Sequence, residues 1–394
     1  MTQNYRFGSL ASLLGLPGTT LALYSSPRLR RRAANGAIMT ATLWTGGLPP
    51  ELDYVFPDKP QDPEMRESAS IWLYEVGGAF GFPRNGVEAL GGVWERHRFD
   101  CNFALSGGRV LRESSRGPTV SPIALDGRSN VLGAGPMTFQ CIEPFRKWIV
   151  RYQGEAYEGT VQQQIAREFS VYADGGPYSF PRTPISYEVE LTMVVPAWVQ
   201  DYRAEKLAGM SDKEKADAGS MGYGYRIEQL FRGEGTLTLD GVTRDFKAVG
   251  SRIHRQSVRP MAAFRGHCWQ SVVFPDGRAF GYIAYPLRAG EREEDRYNIG
   301  YLYQDGTMYP ARARNIPFLH TIKPRGDDVS VELETSLGVT KIQGTTELCT
   351  FHLGNQSVNG FNNQQSGVSY VLDGMTAFGM IERSSPAELC TIVG

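Results

Sequence analysis

Acidic residues are missing from the start of this chain, the first being Glu51, whereas Arg28, Arg30, Arg31 and Arg32 cluster ahead of Met39. The arginines follow a weakly apolar run, Leu10 to Tyr24, and a secretory leader has the opposite order. Gly15, Pro17 and Gly18 interrupt that run, leaving it too short to span a bilayer. Residues 1–38 are therefore expected to be a disordered or non-native extension of a cytoplasmic protein, with targeting by the tail left open. Cysteine is scarce and scattered: Cys101, Cys141, Cys268, Cys349 and Cys390 include no C-x-x-C pair, which excludes a zinc cluster or a disulfide framework. Each stands among apolar or β-prone residues and reads as a buried, inert thiol.

A charge imbalance is also lacking, with 41 basic against 42 acidic residues, so no global field draws in nucleic acid or an anionic membrane. No glycine-rich loop follows a strand and opens a helix, which argues against a nucleotide cofactor. The five histidines, His97, His254, His267, His320 and His352, form no H-x-x-x-H or H-E-x-x-H pattern, so no metal is expected. His97 and Asp100, three apart on a strand, point to opposite faces and make no dyad.

What the chain does hold is 45 Gly, 23 Pro, 19 Tyr, 19 Phe and 6 Trp, the composition of many short strands joined by tight turns. Alternation over 148–152, 187–195, 329–335 and 346–352 agrees. Asp-Gly turns follow the β-rich runs at 235–241 and 268–277. The fold class is thus mostly β, as antiparallel barrels or strongly curved sheets. A length of 394 residues favours two cores over one. The charged segment 200–219 predicts one or two short helices, and 158–169 reads equally as helix, strand or loop. The expected order is an N-terminal β-barrel domain at 40–205, a helical linker at 206–220 and a C-terminal β-barrel domain at 221–394. A weak echo between Trp94–Arg109 and Trp269–Arg278 leaves duplication an even question.

The polar run Gly250-Ser-Arg-Ile-His-Arg-Gln-Ser-Val-Arg259 lies between strand-like segments and has no obvious structural need. His254, flanked by Arg252 and Arg255, is kept neutral and basic by its neighbours unless a carboxylate intervenes, which suits a general base or a polar rim residue. Arg252 and Arg259 suit an anionic or enolate-like oxygen, or local acids. Glu228, Asp245 and Glu382 are candidate acidic partners. His267 and Trp269 would face the same cavity if their strand runs antiparallel to the one before His254. Tyr225 and Tyr282 suit a pocket for a fused-ring or polyene ligand, or simply a β core.

Glu228-Gln-Leu-Phe-Arg-Gly233, Gly250-x-Arg-x-His254, Arg259, Phe274-Pro-Asp-Gly-Arg-Ala-Phe-Gly281, Ile142-Glu-Pro-Phe-Arg-Lys-Trp148 and Gly379-x-x-Glu382 together resemble the tandem lipocalin-like group of carotenoid 1,2-hydratases and AttH-like proteins, and more distantly tocopherol cyclases. The resemblance covers residues 60–390 and implies two offset β-barrels with an apolar cavity. It also implies acid or base chemistry on an isoprenoid. In such relatives an Asp commonly precedes the histidine; here Ile253 stands in its place, which puts strong-acid hydration of an alkene in doubt and leaves a milder proton shuttle or plain binding.

The leading expectation is a cofactor-independent lyase or isomerase, of hydratase, dehydratase or cyclase type, acting by proton transfer on a hydrophobic terpenoid, steroid-like or polyketide molecule. His254, Arg252 and Arg259 would be catalytic, with Trp269, His267, Glu228, Tyr225 and Tyr282 binding substrate. The alternatives are a non-catalytic carrier of such ligands and a carbohydrate-active β protein, the latter lacking an evident carboxylate pair. Oligomeric state is not legible.

Overall fold

A computed structural model describes residues 43–169, 179–260, 264–353 and 360–393. The expected extension at 1–38 lies outside them. Period-two alternation builds two antiparallel β-structures in succession. The first comprises β1 (Met65–Glu75), β2 (Phe80–Leu90), β3 (Arg96–Leu105), β4 (Arg109–Pro118), β5 (Val131–Ala134), β6 (Met137–Glu143), β7 (Lys147–Thr160), β8 (Arg182–Met193), β9 (Trp198–Asp201), β10 (Tyr223–Leu239) and β11 (Val242–Val258). Their order is β4-β3-β2-β1-β11-β10-β8-β7-β6-β5, with β9 on β10. Residues 109–112 of β4 also pair with 157–160 of β7, so the eight strands from β4 round to β7 form a closed hydrogen-bonded circuit.

The second structure is a closed barrel of β12 (His267–Val273), β13 (Ala279–Ala284), β14 (Asn298–Gln304), β15 (Thr307–Arg314), β17 (Val331–Thr335), β18 (Gly338–His352), β19 (Phe361–Leu372) and β20 (Met375–Pro386). A short parallel pair, β16 (Thr321–Ile322) and β21 (Thr391–Ile392), stands apart from it. The turn Asp240-Gly241 joins β10 to β11 with both residues at positive φ, 55° and 76°, the geometry whose twist matches that of the flanking strands.

Among the described residues α-helices are few: α1 (Val161–Ile165), α2 (Ala204–Leu207) and α3 (Asp212–Met221). The ambiguous segment 158–169 divides at Thr160, where β7 ends and α1 begins, capped by reciprocal bonds between Thr160 and Gln163. At α3 the Ser211 hydroxyl accepts from the Glu214 backbone N–H while the Glu214 carboxylate accepts from that of Ser211. Ser211→Ala is expected to cost about 1 kcal/mol, read as a lower urea midpoint at unchanged slope.

The expected helical linker at 206–220 is corrected by the topology. β9 before the helices and β10 after them pair with each other, and β10–β11 sit between β1 and β8. The barrel begins only after β11 ends at Val258, with β12 at His267. Residue counting misled because β10 and β11, at 17 residues each, form a hairpin long enough to complete the first circuit.

The three largest apolar clusters among the described residues follow from the alternation. Ala69, Ile71 and Leu73 of β1 pack inside the first structure with Phe82, Trp148 and Phe231. Cys268, Phe280, Tyr282 and Tyr370 fill the barrel. Between the two, Trp72 meets Trp269 edge-to-face at 4.6 Å, with Tyr74, Ile253, Ile283 and Met380 in the same cluster. The interior of each β-structure is thus filled with side chains, and the two meet through their outer faces.

Candidate active site

Strand β11 carries two faces with different tasks. Arg252 and His254 point into the first β-structure and are 0 % exposed, together with Asp53. Asp53 ends the 3-10 turn Pro50–Asp53. Its carboxylate accepts from Arg252 Nη1 and Nη2 at 2.8 and 3.2 Å, from the Phe145 backbone N–H at 2.6 Å and from Trp148 Nε1 at 3.1 Å. Arg252 also donates to Gln229 Oε1 at 2.6 Å and lies 4.6 Å from the centre of the Trp148 ring. His254 Nδ1 lies 3.3 Å from Asp53 Oδ1, and Nε2 lies 3.0 Å from Glu67 Oε1.

Burial pushes the Asp53 carboxyl up, but the Arg252 charge and the His254 bond outweigh it and bring it down to about 2. For His254, burial opposes the charged ring, yet the bonds to Asp53 and Glu67 and their charges hold its pKa above the ordinary imidazole value. This reverses the expectation of a neutral histidine without a carboxylate: it has two, from positions 201 and 187 residues away in the chain. His254 and Arg252, expected from sequence as acid–base and oxygen-binding groups, are 0 % exposed inside the first β-structure and do not line the cavity between the two β-structures. They fasten the 3-10 turn to the inner wall. Tyr225 joins the same fastening, its hydroxyl donating to Leu52 O at 2.8 Å. Tyr282 lies in the barrel interior against Cys268 Sγ at 3.3 Å, and Asp245 is exposed at the far end of β11.

A cavity of about 420 Å³ lies between the outer faces of the two β-structures. Its first wall is the other face of β11 and β1: Ile253 and Arg255, with Arg259 just beyond, beside Arg66, Ser68, Ser70 and Trp72 at strict two-residue spacing. Arg226 of β10 and Arg84, Glu88 and Arg98 of β2 and β3 extend it. The facing wall is His267 and Trp269 of β12, Glu382 and Ser384 of β20, Asn363 and Gln365 of β19, and Tyr285. Met221, from the buried last turn of α3, also lines it. Of the residues expected from sequence, His267, Trp269, Arg259 and Glu382 therefore meet here. Glu228 lies just behind the wall, accepting from two lining residues, Arg226 at 2.8 Å and Trp269 Nε1 at 3.2 Å. Burial holds its carboxyl above the usual range against the pull of Arg226.

Register places His267 opposite Ser384 and Trp269 opposite Glu382. His267 Nδ1 lies 2.8 Å from Ser384 Oγ, and Nε2 lies 3.3 Å from Glu382 Oε1. Gln365 donates to Glu382 Oε2 at 2.7 Å. Burial pushes the Glu382 carboxyl up, but the His267 bond and charge, the Arg84 charge and the Gln365 bond bring it down to about 2. With Glu382 ionised and facing Nε2, the neutral ring carries its proton there and Nδ1 accepts from the serine hydroxyl, whereas in the charged ring both nitrogens donate. Ser384 escaped the sequence reading, which looked for partners of His254; so did Asp53 and Glu67. The alternation of β11, which separates 253 and 255 from 252 and 254, is the signal that assigns the two faces.

Over residues 50–387 the chain matches the profile of a family described as Domain of unknown function (DUF7064). No curated protein matches it. Among solved structures it is similar to a protein of Nitrosomonas europaea described as AttH, with 12% identity, a TM-score of 0.52, and coverage of 84% of this chain and 98% of that one. It is also similar to kievitone hydratase from Nectria haematococca, at 9% identity and a TM-score of 0.43 over 87% and 95% of the two chains. The corresponding values for CghA are 11%, 0.46, 85% and 94%. The AttH likeness is one of fold, and it runs through both β-structures. With most of its length inside the family profile, the chain belongs to the DUF7064 family.

Proposed function

We propose that this protein is a cofactor-independent lyase or isomerase, of hydratase, dehydratase or cyclase type, that moves a proton on a small molecule held between its two β-structures. The observation that carries this reading is His267, fixed at both ring nitrogens in the cavity wall by Ser384 and Glu382. A neutral imidazole whose Nε2–H is held by a carboxylate presents Nδ1 as a base, and the carboxylate stabilises the imidazolium that forms. In a dehydration the C–H proton passes to Nδ1, directly or through the Ser384 hydroxyl. The C–O bond then breaks, and the departing oxygen takes a proton from the same relay and leaves as water. Hydration is the reverse, and isomerisation returns the proton to a different carbon. Trp72, Trp269, Phe264 and Phe361 offer the apolar surface for the body of a terpenoid, steroid-like or polyketide substrate.

The test uses protein purified without detergent. Native mass spectrometry is expected to find a retained organic molecule, and incubation of that complex in deuterium oxide is expected to add deuterium to the molecule at carbon. His267→Gln should abolish the uptake. A ligand retained without deuterium uptake would make the protein a carrier and overturn the catalytic reading.

A further inference from the structure

Charge in the cavity is unequally matched. Arg66 pairs with Glu88 at 3.7 Å, Arg84 and Arg98 share Asp100 at 3.0 and 2.9 Å, and Arg226 pairs with Glu228 at 2.8 Å. Arg255 and Arg259 have no carboxylate within 4.0 Å among the described residues. The one hydrogen bond that Arg259 makes there is from Nε to the Ser220 carbonyl, at 3.4 Å. Burial and the charges of Arg259 and Arg226 act against a protonated Arg255, and burial acts against a protonated Arg259. A guanidinium keeps its proton near neutrality, so the conflict is stored as repulsion.

Donors without acceptors lie beside these cations. Arg255 Nε and the hydroxyl of Tyr285, a residue only 1 % exposed, are buried with no hydrogen-bond partner among the described residues. Each such group is costly to strip of water, a cost that a fold tolerates where a ligand supplies the missing partner. Both side chains line the cavity.

Resting on the reading of this cavity as the substrate site, we propose that its substrate is an anion, bearing a carboxylate or a phosphate bound by Arg255, Arg259 and the Tyr285 hydroxyl while its apolar body lies against the tryptophans. Planar guanidinium forks match both oxyanions, and the missing acceptors are then supplied at one stroke. A carboxylate here also bears on the chemistry. Proton removal from the carbon beside it places the developing charge on oxygens already held by cations.

The test is binding, measured on the full chain by calorimetry at low ionic strength. Naphthalene-2-carboxylate and 2-naphthyl phosphate serve as anionic probes, with 2-naphthalenemethanol as the neutral match. At least one anion should bind roughly tenfold or more tightly than the alcohol, and the better anion tells carboxylate from phosphate. Arg255→Gln and Arg259→Gln should each lose a similar factor, and Arg255→Lys should retain part of it. Because Arg255 is repelled and not paired, the ligand-free melting temperature of Arg255→Gln should be equal to or above that of the parent. A purely structural arginine would lower it.

Equal binding of alcohol and acids, or anion affinities unchanged in both Gln variants, would overturn the inference. If deuterium uptake at the site still depends on His267 in that case, the proposed function stands and only the anion falls. No binding by any of the three probes would overturn the anionic site and the cavity reading together.

Discussion

Asp53→Asn is expected to destabilise the protein by ~3–5 kcal/mol, measured as a drop in denaturation midpoint. The substitution preserves shape but removes the charge and turns one acceptor oxygen into a donor, leaving the Arg252 guanidinium and the His254 ring sealed beside a neutral amide that can accept from only part of the donors around it. Breaking a buried pair on one side costs far more than removing both partners, because the remaining charge has neither water nor counter-ion. Asp53→Leu combined with Arg252→Met should therefore recover most of the loss. If Asp53→Asn and the double variant were equally unstable, the network would be acting through packing and not through charge.

The same cluster gives a pH signature. The Asp53 pKa is lowered from 3.8 to about 2, so its stabilising contribution is present above 3.8 and is lost as pH falls through 2. His254 has the opposite sign. Its pKa is raised from 6.5, so its contribution is complete below 6.5 and is lost as pH rises through the folded value. Stability should be greatest between those limits, and His254→Gln should flatten the alkaline slope and weaken the acid slope without removing it, since the Arg252 charge still holds the Asp53 carboxyl down.

The second large effect is on turnover. His267→Gln should reduce the rate by a factor on the order of 10²–10⁴, with a denaturation midpoint close to that of the parent, since the ring sits at a cavity wall and not in a core. Glu382→Gln should lower the rate less, because Nε2 keeps an acceptor but the imidazolium loses its counter-charge. With the Glu382 pKa at about 2, its carboxylate persists through the mildly acidic range, so no loss of rate there should trace to it. A rate unchanged in His267→Gln would remove the relay from the mechanism.

How much of this was written legibly in the chain differs by element. Local grammar was enough for strands and turns: the run at 148–152 is part of β7, and Asp240-Gly241 is the turn that alternation and turn chemistry require. Local grammar does not say which circuit a hairpin joins, so β10–β11 fell on the wrong side of the expected boundary. Trp269, His267 and Arg259, which the sequence names, line the cavity, whereas His254 lies in the interior network. Its partners, Asp53 and Glu67, are remote in sequence and reach it only through the pairing of β1 with β11 and the docking of the 3-10 turn on the interior wall. The Ser384–His267 contact likewise exists only through the pairing of β12 with β20.

The two-faced character of β11 also governs how such a protein can diverge. Positions 252 and 254 are bound to the interior network of the first β-structure, while 253 and 255 face the cavity and the packing between the two β-structures. A lineage can therefore exchange residues at the odd positions, and at 66, 68 and 70 opposite them, to accept a different molecule without unfastening the interior. A single-residue insertion ahead of 252 would do the reverse. It would drive Ile253 and Arg255 inward and turn the sealed ion network out toward the ligand, losing binding and stability in one step.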